Sequence, residues 1–304
     1  MEIIVTGASG FVGQNLQEYL ESKSYKVKAL SLRNENWQNH IHGGQAIVHL
    51  AGKAHDTANT TAESEYFTVN RDLTMALFEL FLKSDIRDFF YFSSVKAVAD
   101  TVEGVLTEDM EGNPLTPYGK SKLEAEYYLQ DRPLPEGKRL FIIRPCMIHG
   151  PGNKGNLNLL YKVVEKGLPW PLAAFHNQRS FLSIGNLCYL IEQMLLQPQL
   201  ASGVYNFADD EPLSTNELVS LIAKAIARKP KLWHISAGLI RSLVKIGDVL
   251  PLPLNSERLK KLTESYVVSN AKIKQALGIK NLPTDVKTGL ENTIRSFVSE
   301  KDKI

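Results

Sequence analysis

Cysteine is scarce in this chain: Cys146 and Cys188 are the only two among 304 residues. Two thiols build neither a disulfide framework nor a metal-ligand cluster, and such usage fits a reducing compartment. Charge of one sign is also lacking. A formal net charge of +2 gives no basic field of the kind that duplex binding uses, so nucleic acid is not an expected partner. Long apolar runs are missing as well. The most apolar late stretch, ISAGLIRSLVKIGDVLPLPL over 235–254, is broken by Arg241, Lys245, Asp248 and two prolines, whereas a membrane span takes roughly 20 mostly apolar residues. It reads as an amphipathic helix followed by a loop. MEIIVTG enters an apolar run and a glycine turn without the basic and long apolar segments of a secretion signal, so a cytoplasmic location is expected. His40, His42, His49, His55 and His149 have no metal-ligand spacing, and no metal is expected.

What the chain does have is alternation. Short apolar runs at 2–5, 26–32, 46–50, 89–93 and 140–144 read as strands, several of them apolar throughout, as in parallel strands covered on both faces. Helical spacing fills 11–22, 62–83 and 117–130 between them. This pattern predicts an α/β fold, a Rossmann-like doubly wound parallel sheet with right-handed crossovers. Residues 150–178, rich in Gly, Asn and Pro around one helical segment, suggest an excursion from the sheet. The segment 179–195 reads as a return to it, and 203–209 as a further strand; a capped helix over 213–228 opens a helical, loop-rich remainder. The expected organisation is a dinucleotide-binding domain, 1–149 with 179–209, and a smaller mixed α/β substrate-binding lobe from 150–178 and 210–304.

VTGASGFVG puts Gly7, Gly10 and Gly13 between the first strand and the first helix. Gly7 allows the tight turn, Gly10 a close backbone approach to a pyrophosphate, and Gly13 close helix-strand packing. The helix start adds amide donors and a positive dipole end. NAD sites usually place an acid at the end of the second strand to hold the ribose 2′-hydroxyl. Here ALSLRNEN has Ser31 and Arg33 instead, which strand alternation puts on one face. A hydroxyl and a guanidinium suit a 2′-phosphate, so NADP(H) is favoured over NAD(H). The competing reading makes Arg33 a solvated strand-end charge and leaves the ribose to Glu35 or backbone groups.

TPYGKSKLEAE (116–126) begins with a good N-cap, Thr116, and a proline suited to the first helical position. Tyr118 and Lys122, four apart, share a helix face. A nearby ammonium stabilises a phenolate, which would lower the tyrosine pKa and let it pass protons. A surface Tyr/Lys pair is the bland alternative.

With the glycine trio, this pair and the serines 93–94 after a mid-chain strand, the sequence resembles the extended short-chain dehydrogenase/reductases. Within them it is similar to the nucleotide-sugar epimerase, dehydratase and ketoreductase branch. VHLAG (48–52), FSSVKAV (92–98), IIRPCMIHGPG (142–152), NQRSFLSIGNL (177–187) and YNFADDEPLST (205–215) extend the resemblance over nearly the whole chain. The resemblance implies that Tyr118 exchanges a proton with the substrate oxygen. It implies that Lys122 lowers the tyrosine pKa and holds the nicotinamide ribose, and that Ser94 hydrogen-bonds the reacting oxygen, with Ser93 as the competing register. Ser9, Phe11, Val12, Leu50, Ala51 and Gly52 join the three glycines as expected cofactor contacts. Arg179 would grip the substrate diphosphate. Asn156 and Asn158 fall where the family contacts diphosphate or sugar, although turn formation suits asparagines there equally. Tyr266 falls near the uracil pocket, with simple packing as the alternative. The family also implies a homodimer and a UDP-linked partner substrate, as in polysaccharide biosynthesis.

Three reactions share such a site. Dehydratases carry an Asp-Glu pair after the catalytic hydroxyl; this chain has Val95 and Lys96, so dehydration is not expected. Epimerases keep NAD bound, whereas a net reductase consumes NADPH. Ser31, Arg33 and NQRSFLSIGNL lean toward reduction of a UDP-linked 4-keto-6-deoxy-N-acetylhexosamine; a UDP-sugar 4-epimerase is the alternative. A dinucleotide sensor without catalysis would typically have lost Tyr118 or Lys122.

Overall fold

The computed structural model describes residues 1–53, 62–153, 156–248 and 255–301. In chain order the first half runs β1 (Glu2–Thr6), α1 (Phe11–Ser22), β2 (Lys26–Leu30), β3 (Ala46–His49), α2 (Glu63–Tyr66), α3 (Leu73–Lys83), β4 (Asp88–Phe92), β5 (Val105–Leu106), α4 (Pro117–Asp131) and β6 (Arg139–Pro145). The second half runs β7 (Met147–His149), α5 (Asn156–Glu165), β8 (Phe181–Ser183), α6 (Ile184–Leu196), β9 (Gly203–Phe207), α7 (Thr215–Ala225), α8 (Ala237–Gly247), α9 (Ser256–Thr263), β10 (Val267–Val268), α10 (Ala271–Leu277) and α11 (Val286–Lys301).

Six strands form one parallel sheet in the order β2-β1-β3-β4-β6-β9. Alternation sends successive residues to opposite faces. Ile3, Val5, Phe90 and Phe92 join one core with Leu16 of α1 and Leu187 of α6. Ile4, Phe89 and Tyr91 join another with Phe78 of α3 and Leu129 of α4. Both faces are covered, which is why these strands read as unbroken apolar runs. The chain leaves β1 toward β2 and then returns to β1's other side as β3. Ligands of such sheets bind at the carboxyl ends beside that reversal.

The π-helical turn Phe67–Asp72 interrupts the helix expected over 62–83. The strand expected over 26–32 stops at Leu30, because its partner β1 ends at Thr6, opposite Leu30, where Gly7 turns with φ +69°. The segment 179–195 returns to the sheet only through its helix. α6 packs on the sheet, and the Tyr19 hydroxyl of α1 donates to Glu192 at 2.7 Å, while among the described residues β8 pairs only with β7. A separate core gathers Leu157, Tyr161, Trp170, Leu172, Leu218, Ile222, Ile240, Val244, Leu290 and Ile294. Of the amphipathic stretch 235–254, α8 covers 237–247, and 249–254 lies outside the described residues. Among the described residues no helix is long and apolar enough to cross a membrane.

Candidate active site

The turn after β1 is built as the glycine spacing requires. A Cβ on Gly7 would sit 2.6 Å from the Ala51 amide nitrogen, and one on Gly13 2.3 Å from the Gly7 carbonyl oxygen. Neither site accepts a side chain. Gly10 precedes α1 and supplies no capping side chain, so the N-cap leaves the first-turn amides to other acceptors. Leu50 and Ala51 close against Gly7, which joins the two loops at the β1/β3 reversal. Behind them His49 is fully buried, its Nδ1 2.7 Å from Thr6 Oγ1 and its Nε2 2.9 Å from Thr74 Oγ1. Burial holds its imidazole down to about 3, so it is a neutral strut. These residues fit a dinucleotide.

Ser31 and Arg33 meet, but not by strand alternation. They occupy a turn beyond β2, where the Arg33 amide donates to Ser31 Oγ at 3.4 Å and both residues are exposed. No carboxylate lies between them in sequence.

The catalytic candidates converge from three elements. Ser94, just past β4, caps a short 3₁₀ turn by accepting the Lys96 amide at 3.2 Å. Its hydroxyl also shares a hydrogen bond with Tyr118. Gly119 permits this approach, since a Cβ there would lie 2.4 Å from the Lys96 carbonyl oxygen. Thr116 caps α4 by accepting the Gly119 amide at 3.2 Å. One turn on, Lys122 is buried and donates to the Phe92 carbonyl at 2.8 Å. A Cβ on Gly52 would stand 3.3 Å from its Nζ, which places the cofactor loop directly above the ammonium.

Burial pushes the Lys122 ammonium down to about 8, partly opposed by Glu126. The Tyr118 phenol moves opposite to the direction that a neighbouring ammonium alone predicts. Burial raises it, the Ser94 hydroxyl pulls it down, and Tyr66, whose ring meets it edge-on at 6.2 Å, raises it again.

Ser93 points away from this cluster. Its hydroxyl donates to Glu126, which also receives Arg144 through Nε at 3.1 Å and Nη2 at 2.5 Å. Glu126 is wholly buried on the α4 face that carries Tyr118 and Lys122. We therefore expect Ser94→Ala to lower kcat about 100-fold, the order seen when one donor to a developing oxyanion is removed, with melting temperature falling by only a few degrees through the lost turn cap. Ser93→Ala is expected to lower melting temperature and leave kcat within about threefold, since it strips a buried carboxylate of a partner. Steady-state kinetics and thermal melts of the two variants check this.

The substrate residues fare differently. The Arg179 backbone is held on a short ladder between Leu213 and Tyr266, and burial lowers its guanidinium pKa. Tyr266 is 9% exposed, its hydroxyl within 3.0 Å of the Val95 carbonyl and 2.8 Å of that of Ala99, with the Lys96 ammonium over its ring. That side chain packs under the Ser94 turn and supports it. The Asn158 side chain donates to the Asn153 carbonyl at 2.9 Å, the turn-forming role. Asn156 opens α5, and its side chain lies outside what is described; so does His55. Among the described residues no group of His, Cys, Asp and Glu is placed to hold a metal.

Three contributors escaped the sequence reading. Asn70, on the π turn, is buried; its side chain accepts the Lys53 amide at 2.7 Å and donates to Ser121 at 3.1 Å, tying the cofactor loop to α4. Gly119 was visible as a glycine inside a helical first turn, and Arg144 as a charge inside an apolar strand.

Fold and cluster together place Ser94, Tyr118 and Lys122 at the sheet's carboxyl edge, beside a glycine loop that fits a dinucleotide. The chain belongs to the NAD dependent epimerase/dehydratase family, whose model matches residues 3–208, and it is an enzyme of that family. A UDP-glucose 4-epimerase of Vibrio cholerae is 29% identical over 99% of this chain and 97% of its own length. An N-acetyl-alpha-D-glucosaminyl-diphospho-ditrans,octacis-undecaprenol 4-epimerase of Escherichia coli O157:H7 is 27% identical over 90% and 84%. The solved structure of MoeE5 in complex with UDP-glucose and NAD superposes with a TM-score of 0.78 at 21% identity, covering 99% of this chain and 100% of that one. RMD from Pseudomonas aeruginosa complexed with NADPH gives 0.72 at 20%, covering 100% and 99%. These two likenesses establish the fold.

Proposed function

We propose that this enzyme works at carbon 4 of a nucleotide-linked sugar, as an NADPH-dependent reductase of a UDP-linked 4-keto-6-deoxy-N-acetylhexosamine. The observation that carries the site is the Ser94–Tyr118 hydrogen bond one helical turn from the buried Lys122. Reduced nicotinamide, when bound, supplies the hydride that carbon 4 accepts. Tyr118 gives its proton to the carbonyl oxygen as that oxygen gains charge, and Ser94 hydrogen-bonds the same oxygen. A phenol held above its ordinary value by burial is protonated at neutral pH, the form that a reduction needs first. Lys122 places a positive charge under the reacting groups. Arg179 takes the substrate diphosphate, a planar fork suited to it. After Ser94 come the buried Val95 and Lys96, whose ammonium donates to the Asp100 carbonyl at 2.7 Å; neither supplies a carboxylate for dehydration.

The direction of the chemistry rests on the turn that joins Ser31 to Arg33, which suits a 2′-phosphate. NADPH absorbance should fall when the purified chain meets UDP-4-keto-6-deoxy-N-acetylhexosamine. Arg33→Ala should raise KM for NADPH about tenfold while leaving that for NADH alone, the loss of one charge-assisted contact. The second reading is a 4-epimerase that retains NAD, favoured by the activities of the two relatives. Conversion of UDP-N-acetylglucosamine or UDP-glucose to its 4-epimer without added cofactor, together with no NADPH oxidation, would establish it instead. A homodimer, which the family resemblance implies, is testable by sedimentation equilibrium.

A further inference from the structure

α8 has two apolar faces. Ile240 and Val244 are buried in the separate core of Leu157, Trp170 and Leu290, whereas Leu239, Leu243 and Ile246 are 54%, 50% and 51% exposed. Spacings of four and three put the last three in one outer stripe. More apolar surface stands open just before the helix. The Trp170 amide donates to the Lys231 carbonyl and the Trp233 amide to the Trp170 carbonyl, so residues 231–233 are extended. Leu232 packs inward, and alternation turns Lys231 and Trp233 outward, Trp233 being 54% exposed. Arg228, Lys229 and Lys231 also line a cavity of about 260 Å³ beside the exposed Leu168.

Charge names the occupant. Residues 228–248 hold five Lys and Arg and a single carboxylate, Asp248; Arg241 lies over the Phe175 ring, which leaves Arg228, Lys229, Lys231 and Lys245 for the outer surface. An isologous contact with a second copy would set this patch against itself, cation facing cation. An anionic surface complements it. Basic residues near anionic headgroups attract such a surface, and an amphipathic helix with an outer apolar stripe buries that stripe at the headgroup boundary without spanning. The indole of Trp233 suits the same depth.

We propose that the outer stripe of α8, with Trp233 and the cations Arg228, Lys229, Lys231 and Lys245, docks this protein on an anionic lipid bilayer surface. The docking is independent of the chemistry in the cleft and stands whichever sugar is turned over. The test is cosedimentation of the full chain with vesicles of phosphatidylcholine alone and of phosphatidylcholine mixed with phosphatidylglycerol, at low and high salt. The expected result is sedimentation with the mixed vesicles, weakened by salt. The double variant Leu239→Ser/Leu243→Ser, whose side chains are exposed and whose melting temperature should hold, should bind at least about tenfold more weakly. Failure to sediment with either vesicle overturns the proposal, as does equal binding to neutral and mixed vesicles or unchanged binding by the double variant. A concentration-dependent dimer that the double variant loses, without vesicle binding, overturns it in favour of a protein interface.

Discussion

Tyr118→Phe is expected to lower kcat about 1000-fold while the dissociation constant for the dinucleotide stays within about twofold, a loss inside the range of general acid–base catalysis. The variant removes one oxygen and little else. The ring still meets Tyr66 edge-on, and Ser94 still caps its turn through the Lys96 amide, so the scaffold has no reason to move. Ser94 is left without an acid beside it, and water that enters the cleft is a poorly placed substitute. Stopped-flow hydride transfer and calorimetric cofactor binding separate the two quantities. Undiminished turnover would sink the acid role of Tyr118. Wild-type cofactor binding with no turnover in either protein, on any of the sugars named above, would favour a dinucleotide sensor.

This site was largely legible because its rules are local. A tight turn, a helix cap and an i,i+4 pair depend on neighbours in sequence, so spacing placed the glycine loop and set Tyr118 and Lys122 on one helix face, while their roles came from the family resemblance. What escaped depends on distant partners. The end of β2 is decided by where β1 stops, and Ser31 and Arg33 consequently meet in a turn instead of along a strand. Asn70 turns inward because the π turn rotates it toward Lys53 and Ser121, and nothing in TVNRD signals that rotation. The family resemblance already favoured Ser94 over Ser93, but the partner of Ser93, Glu126, and the Arg144 that joins it come together only from α4 and β6. Tyr266 required the 95–99 turn, 167 to 171 residues away, before its hydroxyl could be seen as a support.

Lys122→Met should abolish measurable turnover and yet make the protein more stable. The lysine's ammonium is buried, and burial brings its pKa from 10.5 to about 8. Holding the charge at neutral pH therefore costs about 3 kcal/mol, at 1.4 kcal/mol per unit. Methionine has similar length and no charge, but it leaves the Phe92 carbonyl without its donor, which returns about 1 kcal/mol of the gain. A rise in melting temperature of several degrees is expected near neutral pH for a chain of this size. The pH dependence isolates the cause. Below about 8 the lysine is charged in both folded and unfolded chains, so the variant's advantage is constant. Between about 8 and 10.5 the unfolded chain binds more protons than the folded one, and the wild type gains stability relative to the variant as pH rises. Denaturant melts of both proteins at intervals from pH 7 to about 10 follow the difference. An advantage that stays level across that window would mean that packing, not a buried charge, separates the two proteins, and that Lys122 does not hold its proton at a cost to the fold.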